Sequence, residues 1–296
     1  MGILRILKNF RTHPLTRNKV ISACWRYMKW QLHVRLFNYP VIYPFVGNTQ
    51  LIVSKGMRAS TGNVYCGLQE FEEMSFLLHF LSERDLFVDV GANIGTFTLL
   101  ASGHRKSRSI AIEPIPATFE HLKKNTSINS LEPLVHLHNK GLGAEKKMLK
   151  FTSMWDTYNN VITEDAVKNE KYFIEVEVVT LDSIVGDQNP GLMKIDVEGF
   201  EYEVLVGGSN TLKKESLKAI IIELNGTGKR YGHSDQEIHE ILAGNGFSKY
   251  RYSPFERKLT PSPDLTESNA IYLRDVDFVR KKVEAAEPVT ILNRTY

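Results

Sequence analysis

Residues 86–113, L-F-V-D-V-G-A-N-I-G-T-F-T-L-L-A-S-G-H-R-K-S-R-S-I-A-I-E, decide the fold of this chain. A short apolar run ends in Asp89 and is followed by a turn containing Gly91 and Gly95. Apolar residues then recur at helical spacing, and a second β-type run closes on Glu113. This strand–turn–helix–strand order predicts one nucleoside-binding half of a doubly wound α/β sheet.

The glycine turn also indicates which cofactor it serves. Its glycines are spaced G-x-x-x-G, whereas dinucleotide enzymes use G-x-G-x-x-G to accommodate a pyrophosphate. Asp89 would repel a pyrophosphate but suits the ammonium group of S-adenosylmethionine, and Glu113 could accept both ribose hydroxyls. Glycine also lacks the Cβ that would hold a ligand away from the backbone. The expected S-adenosylmethionine-binding residues are Asp89, Gly91, Asn93, Gly95, Glu113 and, after the third strand, Gly143.

Several segments in order resemble the FkbM family of S-adenosylmethionine-dependent methyltransferases. They are D-V-G-A-N-I-G, I-E-P, T-L-D-S-I, M-K-I-D-V-E-G-F-E and I-I-I-E-L-N. The resemblance extends over about residues 60–275, and K-I-D-V-E-G-F-E is its most specific part. It implies a class I methyltransferase (Rossmann-like) fold and methylation of a sugar or polyketide hydroxyl. Family members differ in acceptor, so the resemblance leaves the acceptor open.

Composition indicates a globular protein of a reducing compartment. Hydrophobic residues make up 42% of the 296 residues, and no apolar run is long enough for a transmembrane helix. The two cysteines, Cys24 and Cys66, offer neither a disulfide framework nor a zinc site. The apolar run at the N-terminus is too short for a secretion signal, so we expect a cytoplasmic protein.

The net charge of +3 hides an asymmetry along the chain. Residues 1–69 contain ten of the 37 Lys and Arg residues, whereas all 34 Asp and Glu residues follow them. A basic arm on an acidic domain suits an anionic membrane surface or a partner protein. We therefore expect residues 1–40 to allow peripheral contact with a membrane or formation of a homo-oligomer.

Residues 15–37 predict one amphipathic helix within this basic arm. Its apolar stripe consists of Ile21, Cys24, Trp25, Met28 and Leu32. The stripe could lie on an anionic membrane surface. Alternatively, it packs on the catalytic domain or a second subunit, and we favour this interpretation.

Hydrophobic periodicity predicts a mostly parallel seven-stranded sheet with helices on both faces. The predicted parallel strands are 86–90, 108–113, 134–139, 192–197 and 219–224, and the predicted helices are 70–81, 95–103, 116–129, 201–214 and 235–244. Residues 248–259 and 270–273 would close the sheet as an antiparallel pair. Residues 50–55 and 63–66 would form a hairpin before it.

The predicted organisation has three parts. Residues 1–60 form the basic helical and β extension, residues 61–275 the FkbM-type domain, and residues 276–296 a polar, irregular tail.

Carboxylates that follow the fourth and fifth strands mark the expected acceptor site, because ligands of open α/β sheets bind outside the carboxyl ends of the strands. Asp196 would orient or deprotonate the acceptor hydroxyl with help from Glu198 or Glu223, while Lys194 could pair with one of these acids. A carboxylate of ordinary pKa is a weak base for a hydroxyl, so burial, a histidine or a divalent ion must assist. His233, in the loop after the fifth strand, is the candidate histidine.

The three acids could hold Mg²⁺ through oxygen ligands, but we do not expect the reaction to require a metal. The alternative role for these acids is structural hydrogen bonding to the loop backbone.

The leading functional hypothesis is S-adenosylmethionine-dependent O-methylation of a hydroxyl in a sugar, glycan or other small or lipid-linked acceptor. Aromatic and amide side chains of residues 154–161, among them Trp155, suit sugar recognition. The basic arm leaves RNA ribose methylation as an alternative, although no N-P-P-Y or D-P-P-Y segment follows the fourth strand and we expect no nucleic-acid partner. A non-catalytic module that binds S-adenosylmethionine or a partner is the third hypothesis.

Overall fold

The structure is a computed structural model, which describes residues 3–37, 39–152, 160–162, 173–262, 264 and 269–296. Its helices are α1 (Ile3–Thr12), α2 (Val20–Leu36), α3 (Arg58–Cys66), α4 (Phe71–Phe80), α5 (Thr96–Thr98, continued by a π-helix over Leu99–His104), α6 (Pro116–Ile128), α7 (Leu181–Val185), α8 (Glu201–Gly207), α9 (Ser209–Lys213), α10 (Asp235–Gly244) and α11 (Val276–Glu284), with a 3₁₀ helix over Thr227–Tyr231.

The strands follow the predicted order through the centre of the chain. They are β1 (Val41–Pro44), β2 (Gln50–Val53), β3 (Leu86–Val90), β4 (Arg108–Ile112), β5 (Val135–His138), β6 (Gly141–Leu142), β7 (Lys147–Thr152), β8 (Phe173–Val179), β9 (Leu192–Ile195), β10 (Ala219–Glu223), β11 (Ser248–Ser253), β12 (Lys258–Pro261), β13 (Asn269–Leu273), β14 (Thr290–Ile291) and β15 (Arg294–Thr295).

The main sheet has the strand order β12-β11-β13-β10-β9-β3-β4-β5. Strands β5, β4, β3, β9 and β10 run parallel, and β13, β11 and β12 are antiparallel to their neighbours. This arrangement confirms the predicted class I methyltransferase (Rossmann-like) fold. The predicted count of seven strands is wrong, because residues 248–259 form parts of two strands. The chain reverses between them at Arg257, whose φ of +50° is the left-handed conformation of a tight turn.

The register of the central strands brings their carboxyl ends to one level. Val90 of β3 is paired with Ile112 of β4 on one side and with Ile195 of β9 on the other. Alternate residues of these strands face opposite sides, so Phe87 packs in one hydrophobic cluster and Val88 in another. The segments that leave β3, β4 and β9 therefore meet at one edge of the sheet.

The hairpin that precedes the sheet differs from the prediction. Strands β1 and β2 form it, whereas residues 63–66 belong to helix α3. Val64 and Cys66 are buried, and Gly67 ends the helix with a φ of +84°, a conformation common just after helices. The β-type composition of residues 63–66 was therefore misleading.

The N-terminal segment packs directly on the nucleoside-binding half of the sheet. Trp30 of α2 shares a hydrophobic cluster with Ala92 and Ile94 of the glycine turn. The buried Asn125 amide joins the hairpin to the same turn, because it accepts a hydrogen bond from the Ile52 N–H at 2.8 Å and donates one to the Ile94 carbonyl at 2.7 Å. The domain boundary after residue 60 stays a prediction. Among the described residues, no helix has both the length and the apolar character needed to cross a membrane.

The predicted irregular tail after residue 276 is wrong. Helix α11 buries Val279 and Val283, which are spaced one turn apart, and the hairpin of β14 and β15 follows it. The Tyr296 hydroxyl lies 2.9 Å from the Ser75 hydroxyl of α4. Apolar residues at i and i+4 among charged neighbours form the buried face of this helix, and Val276 packs against the same cluster.

Candidate active site

A cleft opens at the carboxyl ends of β3, β4 and β9. The cleft is lined by the glycine turn, the segments after β4 and β5, and the loop after β9. Its lining residues are Val90, Gly91, Asn93, Ile112, Glu113, Pro114, Ile115, Thr118, Lys140, Gly141, Leu142, Phe151, Val161, Asp196, Val197, Glu198 and Phe200.

The predicted cofactor residues divide into two groups. Gly91, Asn93 and Glu113 line the cleft, whereas the other three do not. Asp89 is buried beneath the turn, where its Oδ2 accepts a hydrogen bond from the Thr98 hydroxyl at 2.6 Å. Gly95 begins α5.

Gly143 is the third predicted residue outside the cleft wall. Gly141 and Leu142, the two residues before it, line the cleft instead. A Cβ at Gly143 would lie 2.9 Å from Val178, so this glycine serves the packing of β8.

The two glycines of the turn are required for a steric reason different from the expected one. Gly91 has a φ of +75°, and a Cβ there would lie 1.8 Å from the Asp196 carbonyl oxygen. Gly95 has a φ of +90°, and a Cβ there would lie 2.6 Å from Leu122 of α6. Both glycines thus allow the turn to approach neighbouring protein elements.

Glu113 is fixed at the base of the cleft by backbone hydrogen bonds. Its Oε2 accepts from the Asn93 N–H and its Oε1 from the Ile115 N–H, both at 3.0 Å. Each carboxylate oxygen has a second lone pair, so Glu113 keeps acceptor capacity for a ligand. Burial raises the pKa of Glu113 to about 7, although the two backbone donors oppose this shift.

Three predicted acids converge beside the cleft. Carboxylate oxygens of Asp196, Glu198 and Glu223 all lie within 4.8 Å of one another, which is close enough to hold a metal ion. Burial, followed by the charge of Asp196, raises the pKa of Glu198 to about 7 and that of Glu223 to about 8. Carboxylates with these values can accept protons effectively near neutral pH.

The loop after β9 holds two of these acids in place through Glu201. The buried carboxylate of Glu201 accepts hydrogen bonds from the Val197 N–H at 3.2 Å and from the Gly199 N–H at 3.1 Å. Glu198, between these residues, has a φ of +54°, a conformation that is unusual without glycine. The loop therefore stores local strain at the position of a candidate catalytic side chain.

Lys194 supplies the positive charge of this acidic edge. Its Nζ lies 2.7 Å from Asp196 Oδ2, which confirms that it pairs with one of the acids. The Nζ also lies 4.7 Å from the centre of the Phe97 ring. Burial opposes a charge on Lys194, but the surrounding carboxylates, Asp196 first and then Glu70 and Asp89, raise its pKa above the usual value.

His233 lies outside the cleft, so its predicted role as a base in the cleft has no support in the geometry. Its ring stacks on Tyr202 with centroids 3.6 Å apart, and its Nε2 lies 3.4 Å from Glu203 Oε1. The next residue, Ser234, caps α10 through a reciprocal arrangement with Glu237. The His233 ring is therefore fixed against α8, and a role for it in proton transfer stays a prediction.

Sequence reasoning missed the apolar wall of the cleft. Phe151, Val161 and Phe200 form it together with Ile115. The Tyr231 hydroxyl donates a hydrogen bond to the Val161 carbonyl at 2.7 Å, which ties the loop after β10 to this wall. Only tertiary packing brings these residues together, so no local sequence signal identifies them.

The aromatic and amide segment predicted to recognise a sugar lies mostly outside the described residues. Residues 153–159, which include Trp155, are not described, whereas Asn160 and Val161 are. Sugar recognition by this segment therefore stays a prediction.

The raised carboxyl pKa values predict how stability varies with pH. The unfolded chain releases the proton of Glu223 at lower pH than the folded protein does. Stability from the protonated carboxyl is therefore fully present below about pH 4.5 and is lost as the pH rises towards 8. Glu223→Gln should raise the melting temperature relative to wild type increasingly between pH 5 and 8, by roughly 2–4 °C at pH 8.

Thermal unfolding of both proteins across this pH range measures the effect. Glu256→Gln, at an exposed position, is the matched control and should give a curve parallel to wild type. A curve for Glu223→Gln that is also parallel to wild type would show that Glu223 titrates normally.

Comparison with known proteins identifies the family. The Methyltransferase FkbM domain matches residues 89–249. A protein of Haloferax volcanii described as "Hexuronic acid methyltransferase AglP" is 28% identical over 221 residues, which cover 71% of this chain and 75% of that protein. "Methyltransferase 1" of Beauveria bassiana is 31% identical over 147 residues, which cover 42% of this chain and 59% of that protein.

Similar solved structures are more distant. The M. jannaschii TYW2 structure in complex with AdoMet is 14% identical with a TM-score of 0.42, and the match covers 80% of this chain and 86% of that one. The METTL16 methyltransferase domain is 14% identical with a TM-score of 0.43 and respective coverages of 84% and 78%. These scores carry no argument about function. Because the FkbM domain matches more than half of its length, this chain belongs to the FkbM methyltransferase family.

Proposed function

We propose that this protein transfers a methyl group from S-adenosylmethionine to an uncharged hydroxyl of a sugar, glycan or other small or lipid-linked acceptor. The observation that carries the proposal is the convergence of Asp196, Glu198 and Glu223 beside the cleft that contains Glu113. Methyl transfer to a hydroxyl needs a positioned acceptor and a group that takes its proton. The relative described as a hexuronic acid methyltransferase supports an acceptor of the sugar class.

The residues of the cleft fit S-adenosylmethionine. When bound, this cofactor supplies an electrophilic methyl group on a sulfonium. Glu113 would hold the ribose hydroxyls through its unused lone pairs, since its carboxylate already faces the cleft. Ile115 and Leu142 offer apolar surface for the purine on the wall next to Glu113.

The different environments of the three acids suit them to different roles in the reaction. Lys194 pairs with Asp196, and this pairing fixes a carboxylate at the cleft where an acceptor hydroxyl can donate a hydrogen bond to it. Glu198 and Glu223, whose pKa values are raised to about 7 and about 8, are the groups best suited to take up the proton. One Glu223 oxygen is buried and has no hydrogen-bond partner in the part of the chain that is described, so it remains available.

The same acids favour an uncharged acceptor oxygen. An acceptor carboxylate at this edge would face the charge of Asp196 at close range, and its own charge would oppose ionisation of Glu198 and Glu223, whose pKa values are already raised. A neutral hydroxyl instead supplies the proton that these carboxylates can accept.

Purified protein incubated with methyl-labelled S-adenosylmethionine and fractionated glycans, lipid-linked sugars and RNA tests the proposal. We expect label in a carbohydrate-containing fraction, and in an ether rather than an ester linkage. Label in RNA alone would establish the ribose methyltransferase alternative. Cofactor binding by calorimetry without transfer to any fraction would support a non-catalytic module.

Glu113→Ala should weaken the binding of S-adenosylmethionine by about 30- to 150-fold. It removes charge-assisted hydrogen bonds to the ribose that contribute on the order of 2–3 kcal/mol. Calorimetry measures the change, with Glu120→Ala on the exposed part of α6 as the control. Wild-type affinity in Glu113→Ala would remove this residue from the cofactor site.

Asp196→Asn should lower turnover by roughly 100-fold or more and leave cofactor affinity nearly unchanged. The substitution keeps the shape of the side chain but removes the charge that holds Lys194 and orients the acceptor. Steady-state kinetics and calorimetry separate the two effects, and Asp187→Asn at an exposed loop position is the control. Near-wild-type turnover in Asp196→Asn would contradict the role assigned to this carboxylate.

The same turnover assay tests whether the reaction requires a metal ion. We expect EDTA to leave turnover unchanged, because the proposed chemistry needs no metal. Loss of turnover in EDTA with recovery on addition of Mg²⁺ would instead assign an ion to the three acids.

A further inference from the structure

Helix α2 has two apolar faces, and only one of them packs on the protein. Ala23 and Trp30 are buried on the inner face. Cys24, which the sequence predicted as part of the apolar stripe, is half-buried against a cluster that includes Ala23. The outer face carries the other four stripe residues together with Leu36, and these five side chains are 52–88% exposed. These residues are Ile21, Trp25, Met28, Leu32 and Leu36.

This outer face is continuous along the helix. At about 100° per residue its five members lie within a sector of about 80°, roughly opposite Ala23 and Trp30. Exposed apolar side chains also follow the helix along the chain, at Phe37, Tyr39 and Ile42. Monomeric proteins rarely expose a contiguous apolar surface of this extent without a binding role.

The charges around the stripe favour one kind of partner. Lys29 and Arg35 flank it and are exposed, and the Lys29 Nζ lies 5.8 Å from the centre of the Trp25 ring. Arg5, Lys8 and Arg11 are exposed on α1, and the sequence contains no acid before Glu70. A second copy of the chain docked by the same face would bring these like charges together.

An anionic lipid surface matches both properties of this face. Interfacial helices place an apolar stripe at the boundary between headgroups and acyl chains, with Lys and Arg beside anionic headgroups. Aromatic side chains such as Trp25, Phe37 and Tyr39 favour this boundary because they combine an apolar ring with a polar edge or a nearby charge.

We propose that the outer face of α2 binds the surface of an anionic lipid bilayer, with the helix lying in the plane of the interface. The inner face remains packed on the protein, so binding needs no refolding of α2. Because Trp30 on that inner face contacts the cluster of Ala92 and Ile94, the helix would also fix the orientation of the cleft relative to the membrane.

Sedimentation of the full-length protein with vesicles tests the proposal. We expect binding to phosphatidylcholine vesicles that contain about 30% phosphatidylglycerol, little binding to pure phosphatidylcholine, and a loss of binding as salt rises. Trp25→Ser combined with Leu32→Ser should weaken binding by at least tenfold. Both side chains are exposed, so the fold should persist.

A matched control replaces exposed apolar residues elsewhere. Met148→Ser combined with Phe278→Ser removes similar side chains from β7 and α11 and should leave vesicle binding unchanged. Lys29→Glu combined with Arg35→Glu should weaken binding to the anionic vesicles.

Any of three results would overturn the proposal. The first is failure of the wild type to sediment with anionic vesicles, and the second is equal sedimentation of the Trp25→Ser/Leu32→Ser variant. The third is a wild-type dimer by light scattering that this variant converts to a monomer, which would assign the face to a second copy of the chain.

Discussion

The ion pair between Lys194 and Asp196 is the interaction on which the site depends. The register of the parallel strands places Asp89, Glu113, Asp196 and the end of β10 at one edge of the sheet. The carboxylates of this edge are therefore brought together by the fold itself. An unpaired buried charge is strongly unfavourable, and several like charges together are more so. Lys194 is buried among these acids and is kept charged by them. The charge of Lys194 thus offsets the repulsion among the carboxylates at this edge of the sheet.

This arrangement has a chemical consequence. The lysine cannot neutralise every acid, and burial leaves Glu198 and Glu223 with raised pKa values. The crowding that costs stability at high pH therefore creates carboxylates able to accept a hydroxyl proton near neutral pH. Gly91 contributes to the same arrangement, since its missing side chain lets the glycine turn approach the Asp196 carbonyl oxygen, close to the three acids. If α2 lies on a membrane, the cleft and a lipid-linked acceptor would meet at one surface.

Sequence patterns predicted the parts of the molecule that follow from local rules. The ends of parallel strands share one edge, so the positions of Glu113, Asp196, Glu198 and Glu223 follow from strand assignment alone. That His233 does not line the cleft could not be predicted, because its packing on α8 is a tertiary effect that its loop does not reveal. For the same reason the sequence did not reveal the apolar wall, nor that Gly141 and Leu142 rather than Gly143 line the cleft. In α2 the periodicity correctly identified an apolar stripe. Because this helix has two apolar faces, the sequence pattern alone does not show which face packs on the rest of the protein. The few apolar residues of α11 were not enough to distinguish a helix from a polar tail.

The most direct test of the central claim is the pH dependence of methyl transfer by Lys194→Met. This substitution keeps the apolar stem of a buried side chain and removes the cation that pairs with Asp196. Without that cation the raised pKa values of the neighbouring carboxyls should rise further. The increase of kcat/KM with pH should therefore shift to higher pH, and activity at pH 7 should fall by at least tenfold, about 1.4 kcal/mol in the barrier. A pH profile identical to that of the wild type would show that the Lys194–Asp196 pair does not control the chemistry of this edge.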